Sequence, residues 1–345
     1  MSVAMDLSYA QNLEDYHLAQ AFAGQAAGFY IDVGAGHPVA DNVSCWFYLS
    51  GWRGIVVEPQ AGLLALYADV RPRDIREGRV LGRSVGEVDF HVVDRLHGFS
   101  TIVPENAAMA AGFGAGFSTQ RAAMTTLAAL CAEHGVTNID FLKIDVEGAE
   151  GDVLAGNDFT RFRPRVICLE AVVPGSMAEG WQAWEPALLA AGYEFVLFEG
   201  LNRFYVAREE PALAARFPKQ AAPWLVVPHL GHTNRAERRE DHPDHAFARR
   251  LVDHFLASLP GMDRRALLDM IRRGTPAAEL DGPLTLATRA QAIAALFPAG
   301  HARTGLDRLD APTLREFQEK LAGSDAFRVM LGRISMSYDG GQILE

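Results

Sequence analysis

The sequence predicts an α/β protein whose mainly parallel sheet is wound with helices on both faces and closed by an antiparallel hairpin. Three observations predict it. Short apolar runs at 28–33, 53–58, 139–146 and 165–172 alternate with segments of helical spacing, the pattern of βα units joined by crossovers. The first run, Phe29-Tyr30-Ile31-Asp32-Val33, enters Gly34-Ala35-Gly36, two glycines one residue apart at a strand's carboxyl end. Near the other end, Glu199-Gly200-Leu201-Asn202 is a hairpin turn between runs at 193–198 and 203–208, which makes the last strand antiparallel.

Each element has its own local reason. Residues 6–23 form a helical lead-in, with Leu7, Leu13, Leu18, Ala19 and Phe22 near helical spacing. After the first strand, a helix over 42–50 places Val43, Phe47 and Tyr48 on one side and stops at Gly51. A strand at 53–58 and a helix at 60–69 follow. The third strand is expected near 79–85, leading into Val88-Asp89-Phe90-His91-Val92-Val93, which has hairpin character. Residues 94–122 are rich in Gly, Ala, Ser and Met with little periodicity, and read as a lid or substrate loop. Thr125 or Thr126 caps a helix that reaches His134 and ends at Gly135. A strand at 139–146, a short helix ending at Gly156, a strand at 165–172 and a helix at 181–191 complete the alternation before the hairpin. This adds up to seven strands, and the closing hairpin is the arrangement of Rossmann-like methyltransferases. A hydride-transferring Rossmann domain would end on a further parallel unit.

From about 211 the character changes. Pro218, Pro223, Pro228 and a polar run at 231–245 suggest a linker over 211–245, so the main domain is expected at 1–210. Residues 246–345 are helical in pattern, broken at Pro260-Gly261, Gly274-Thr275-Pro276, Pro298 and Pro312, and read as a small helical appendage of unassigned role. The histidine pairs His229-x-x-His232 and His242-x-x-His245 sit in this polar stretch without cysteines, so a solvated linker is preferred to zinc.

Composition narrows the function classes. The 345 residues carry a formal net charge of −11, which argues against nucleic acid as the main partner. Three scattered cysteines give no disulfide framework and fit a reducing cytoplasm. No run of 18 apolar residues occurs and no export signal is read, so no membrane span is expected. Homo-oligomerisation is left open.

The chemistry is concentrated at the strand ends. Glu58 ends the second strand 24 residues after Gly34, a spacing suited to holding a ribose diol. A dinucleotide fingerprint needs a third glycine, and Val39 stands there instead. The form Gly34-x-Gly36-x-Pro38 suits a cofactor with an amino-acid moiety and no phosphates, such as S-adenosylmethionine. Asp32, Gly34, Gly36, Glu58, Ser84 and Asp145 are the cofactor-binding candidates. Asp32, Glu58, Asp145, Glu147 and Glu170 all end apolar runs and should converge on one rim. Methyl transfer to oxygen needs alignment of the acceptor and removal of its proton. Asp145, Glu147, Glu170 and His37 are the candidate bases, with Lys143 placed on the strand face of Asp145 to hold it ionised. The acid trio also suits Mg2+, a hard cation that favours oxygen ligands, as a secondary expectation. Two readings compete with methyl transfer: a nicotinamide-dependent oxidoreductase, disfavoured by the missing glycine and the absence of a Tyr-x-x-x-Lys pair, and a non-catalytic binding module.

Five segments carry a family resemblance: Ser8-Tyr9-Ala10-Gln11-Asn12-Leu13-Glu14-Asp15; Gly28 to Gly36; Gly51-Trp52-Arg53-Gly54-Ile55-Val56-Val57-Glu58-Pro59; Ile139 to Glu150, which holds Lys143-Ile144-Asp145-Val146-Glu147-Gly148; and Gly200-Leu201-Asn202-Arg203-Phe204-Tyr205-Val206. Over about 8–208 the chain resembles the FkbM-type S-adenosylmethionine-dependent methyltransferases. The resemblance implies the Rossmann-like class I methyltransferase fold and O-methylation, with a small-molecule or glycan acceptor such as a sugar hydroxyl. It also implies that Gln11 and Asp15 lie over the cofactor pocket. Many relatives carry Asn where this chain has Gly36.

Overall fold

The computed structural model of the chain describes residues 5, 7–94, 96–173, 178–227, 229 and 240. The expected helical appendage at 246–345 and the histidine pair at 242–245 lie outside the described residues.

In chain order the elements are α1 (Glu14–Ala21), β1 (Phe29–Val33), α2 (Cys45–Leu49), β2 (Arg53–Val57), α3 (Ala61–Val70), β3 (Ile75–Glu77), β4 (Val80–Leu81), β5 (Gly86–Val93), α4 (Pro104–Met109), β6 (Phe117–Thr125), α5 (Leu127–Glu133), β7 (Phe141–Ile144), α6 (Glu150–Ala155), β8 (Val166–Glu170), α7 (Glu185–Ala190), β9 (Tyr193–Phe198), β10 (Asn202–Ala207) and α8 (Pro211–Ala214). Among the described residues no helix is long and apolar enough to cross a membrane.

Seven strands form one sheet in the order β3-β2-β1-β7-β8-β10-β9. The pairs among β3, β2, β1, β7 and β8 are all parallel, while β10 is antiparallel to both β8 and β9. The order reverses between β1 and β7, so their carboxyl ends flank the crevice where ligands of open α/β sheets bind. The register sets Asp32 beside Lys143 and Lys143 beside Cys168.

Alternate residues of each central strand feed two apolar layers, as expected of strands covered on both faces. Tyr30, Val56, Phe141, Val166 and Phe204 pack on one side with Leu18, Phe47, Tyr48, Trp52 and Tyr67. Ile31, Ile55, Leu142, Ile167 and Tyr205 pack on the other with Leu127, Leu130, Val153, Leu154 and Leu188. Asp32, Lys143 and Glu170 belong to the face of Tyr30, Phe141 and Val166 by strand alternation. That face is the one the lead-in segment and α1 cover.

Four expectations are corrected. The third strand of the main sheet lies at Ile75–Glu77, not 79–85, and the apolar Val80–Leu81 moves into a second sheet of order β4-β6-β5. With Arg76 and Glu77 in it, β3 offers no apolar run, and it is held by parallel pairing to β2. The supposed loop at 94–122 is largely structured: β6 pairs with β5 in unbroken antiparallel register from Gly86↔Met124 to Val93↔Phe117. Most of β6 is exposed, so it shows no inside-outside alternation to read. Between them, α4 and a 3-10 turn form a small cluster of Val93, Ala107, Ala110 and Ala115. The helix of the lead-in starts only at Glu14, after Leu13 adopts a left-handed φ of 69°. The start of the expected linker instead packs on the main domain: α8 buries Leu213, Phe217 follows it into the core, and Arg216 donates to the carbonyls of Ala21 and Ala23.

Candidate active site

The turn after β1 begins where backbone approaches backbone. Gly34 has φ 74°, and a Cβ on it would lie 1.7 Å from the carbonyl oxygen of Asp145, so no other residue fits. The amides of Gly34 and Ala35 both donate to the carbonyl of Val57, at 3.0 and 3.1 Å, tying the turn to β2. Gly36 N then donates to Glu58 Oε2 at 2.9 Å, and Gln60 N to Glu58 Oε1 at 2.8 Å. The Gln60 side chain also hydrogen-bonds to this carboxylate, which leaves it capacity for about one further donor, since a carboxylate accepts about four hydrogen bonds. Burial pushes the Glu58 carboxyl up to about 7, against the pull of the amide donors from Gln60 and Gly36.

Gly34, Gly36, Glu58 and Gln60 line one cleft, open to solvent, together with Val33, Val57, Leu81, Phe90, Ser100, Thr101, Ile102, Asp145 and Ala149. Gly34, Gly36, Glu58 and Asp145 therefore share a hollow.

Asp145 also belongs to a second group. One carboxylate oxygen each from Asp145, Glu147 and Glu170 lie within 4.8 Å of one another. Lys143 Nζ donates to Asp145 Oδ2 at 2.8 Å. Burial opposes the charge of Lys143, but Asp145, Cys168 and Glu14 outweigh it and hold the ammonium's pKa above its ordinary value. Burial raises the Glu147 carboxyl to about 9, with the charges of Asp145 and Glu150 adding to the effect. Glu170 is pushed to about 11 by burial first and then by Asp145, Glu147 and Glu150.

Glu147 is held in place from the second sheet's connection. Its φ of 56° is left-handed, uncommon for a residue with a Cβ. Its carbonyl accepts from Thr101 Oγ1 at 2.9 Å and from Asn106 Nδ2 at 2.6 Å. Gly148 follows at φ 98°, where a Cβ would meet Asn106 Nδ2 at 2.2 Å. Glu150 closes the turn by accepting from the amides of Val146 and Gly148, both at 3.1 Å.

The other expected site residues lie elsewhere. Asp32 is buried under the turn, accepts from Ser44 Oγ, and is absent from the cleft wall. Ser44 in turn accepts from Arg71, a fully buried guanidinium that also binds Asp74, Asn42, Tyr30 and the carbonyl of Pro38. Asp32 therefore belongs to a buried polar network and not to the cofactor surface. His37 Nδ1 accepts from the amides of Val39 and Ala40, at 3.2 and 3.0 Å, so its basic nitrogen caps the loop and does not face the cleft. Asp15 is fully buried and accepts from Ser8 Oγ and from the amides of Tyr9, Ala10 and Tyr16. Burial raises its carboxyl to about 7 despite these donors. It staples the lead-in segment rather than lying over the cleft. Gln11 is exposed, and Ser84 is exposed in the turn before β5, outside the cleft lining.

Residue-by-residue reading also missed a pair. Asn202 Nδ2 donates to Glu14 Oε1 at 2.7 Å and to Glu199 Oε1 at 2.8 Å. Glu14 stands in the lead-in motif and Asn202 in the hairpin motif, yet neither was assigned a role. Burial raises the Glu14 carboxyl to about 8, and the charge of Glu199 adds to it. The signal was the company these residues keep inside the two motifs.

Strand order, terminal antiparallel hairpin and glycine turn together define a Rossmann-like methyltransferase fold. Residues 32–195 match the family described as the methyltransferase FkbM domain. Among solved structures the chain is similar to that of the methyltransferase FkbM from Methylobacillus flagellatus KT. The likeness has 13% identity and a TM-score of 0.34, covering 56% of this chain and 50% of that one. It spans about half the length of that relative and adds nothing to the strand order. No curated protein matches the chain.

Proposed function

We propose that the chain is an S-adenosylmethionine-dependent O-methyltransferase acting on a hydroxyl of a sugar, glycan or related small molecule. The observation that carries this reading is Glu58, which accepts from Gly36 N on one oxygen and from Gln60 N on the other and lines the same cleft as Gly34, Gly36 and Asp145. That carboxylate fits a ribose diol, and the glycine turn leaves no room for a bulky side chain. When bound, S-adenosylmethionine supplies an electrophilic methyl group on a sulfonium.

The residues divide the remaining work. Glu58 would hold the ribose diol, and the backbone of Gly34 to Gly36 would border the amino-acid moiety. The acceptor hydroxyl would enter at the Asp145 end of the cleft, where the bound cofactor would supply its methyl group. The hydroxyl's proton passes to a carboxylate of the Asp145, Glu147 and Glu170 group. We assign that role to Asp145, the member that lines the cleft as well as the acid group.

The same reading keeps the catalytic domain N-terminal, extended past 210 to include α8, with a separate C-terminal region and a cytoplasmic setting. Nucleic acid is not the acceptor, given the acidic balance of the chain. Calorimetry on the full chain tests the core of it. Micromolar binding of S-adenosylhomocysteine, none of NAD, and transfer of labelled methyl to a glycoside are expected. Binding of NAD without S-adenosylhomocysteine would overturn it.

A further inference from the structure

We propose that Asp145, Glu147 and Glu170 bind one hard divalent cation, of the Mg2+ or Mn2+ kind, at the acceptor end of the cleft. The inference rests on the methyltransferase reading only for what the cation adjoins; the cation site itself stands on the three carboxylates.

Two independent observations support it. The first is convergence: the three oxygens lie within 4.8 Å of one another. Adjacent oxygens of an octahedral Mg2+ shell are roughly 3.0 Å apart and opposite ones roughly 4.2 Å, given metal–oxygen distances of about 2.1 Å. Binding would draw the three side chains inward, and three protein oxygens leave three positions for water or the acceptor. The second is an orphan: Glu170 is only 8% exposed, and its Oε2 is buried without a hydrogen-bond partner. Buried polar oxygens without partners are rare in folded proteins and call for an ion or an unseen ligand.

The hydrogen bonds of the neighbouring donors go to acceptors other than Glu170 Oε2. Lys143 Nζ is on Asp145 Oδ2. The Thr101 hydroxyl serves the carbonyls of Val146 and Glu147, and the Asn106 amide serves that of Glu147. Three carboxylates against one ammonium leave two negative charges when all are ionised, which a dication neutralises. The ligand set is all oxygen, with no histidine or thiolate, so a hard cation is selected over zinc or copper.

The test is Mn2+ titration of the full chain, followed by electron paramagnetic resonance, with and without S-adenosylhomocysteine. One Mn2+ per chain is expected, displaced by excess Mg2+. Glu170→Gln should weaken Mn2+ at least tenfold while S-adenosylhomocysteine affinity stays within about threefold. Glu147→Gln, at a partly buried position, should do the same and decides the matter if Glu170→Gln fails to fold. Ser84→Ala should change nothing. No Mn2+ bound by the unaltered chain, or equal affinity in the folded glutamine variants, overturns the cation site. Retained Mn2+ with no S-adenosylhomocysteine binding would instead overturn the methyltransferase reading and leave the cation site standing.

Discussion

Asn202 and Glu14, separated by 188 residues, meet in the interior: the Asn202 amide donates to Glu14 Oε1 at 2.7 Å while its partner Glu199 accepts from the same nitrogen. The contact ties the start of β10 to the lead-in segment and sets two carboxylates around one neutral donor. Asn202→Ala should cost about 1–3 kcal/mol of folding stability, because it strands buried acceptors. Asn202→Asp should cost more, since it adds a third carboxylate. Urea unfolding of both variants at neutral pH checks the ranking, and equal losses would contradict it.

Glu58 and Asp32 look equivalent in sequence but should fail differently. Glu58→Gln loses one of two buried acceptors of backbone amides, costing about 1–3 kcal/mol of stability, and should weaken S-adenosylhomocysteine tenfold or more, about 1.4 kcal/mol at least. Asp32→Ala leaves Ser44 and the buried Arg71 network short of an acceptor, and should destabilise the fold by roughly 2–4 kcal/mol. Calorimetry and thermal unfolding on the two proteins separate binding from folding.

Asn106 acts on Glu147 through its backbone, as a positioning residue. Asn106→Ala should lower kcat roughly tenfold to a hundredfold, the range a small misplacement of reacting groups produces. The KM for S-adenosylmethionine should stay within about twofold if the binding surface is untouched. Asn106→Asp, which replaces a donor by an acceptor, should be at least as damaging. A matching rise in that KM would place Asn106 in cofactor binding instead.

His17 gives the stability a pH dependence of known sign. Burial lowers its imidazole to about 4 from the ordinary 6.5, and Nε2 accepts from the amide of Ala222. Between those values the unfolded chain holds more protons than the folded one, so this contribution grows as pH rises from about 4 to 6.5 and is lost on acidification. Its full size is at most about 3 kcal/mol. The buried acids Asp15 and Glu58, whose folded values are raised, have the opposite slope in that window. The readout is therefore the difference between the unaltered chain and His17→Gln. That difference should increase with pH across the window and stay flat above 7.

Much of the fold was legible in the residues. The strands β1, β2, β7, β8, β9 and β10 lie within a residue or two of where apolar runs and turn chemistry put them, and Thr126 Oγ1 caps α5 by accepting from Ala129 N. What failed was β3, with its charged pair, and β6, whose exposed faces carry no alternation. Of the candidate site, Gly34, Gly36, Glu58 and Asp145 line one cleft. Asp32, His37 and Asp15 instead bind neighbouring hydroxyl and amide groups beneath or beside the turn.

The sequence by itself determined the order of the βα units, the closing hairpin and the glycine turn. All three follow from local periodicity and from backbone sterics within a few residues. The tertiary structure alone decided which carboxylates face the cleft and which are spent on the scaffold, and that Thr101 and Asn106 clamp Glu147. Those outcomes depend on where a side chain points among partners far away in the chain, and spacing along the chain carries no record of that direction.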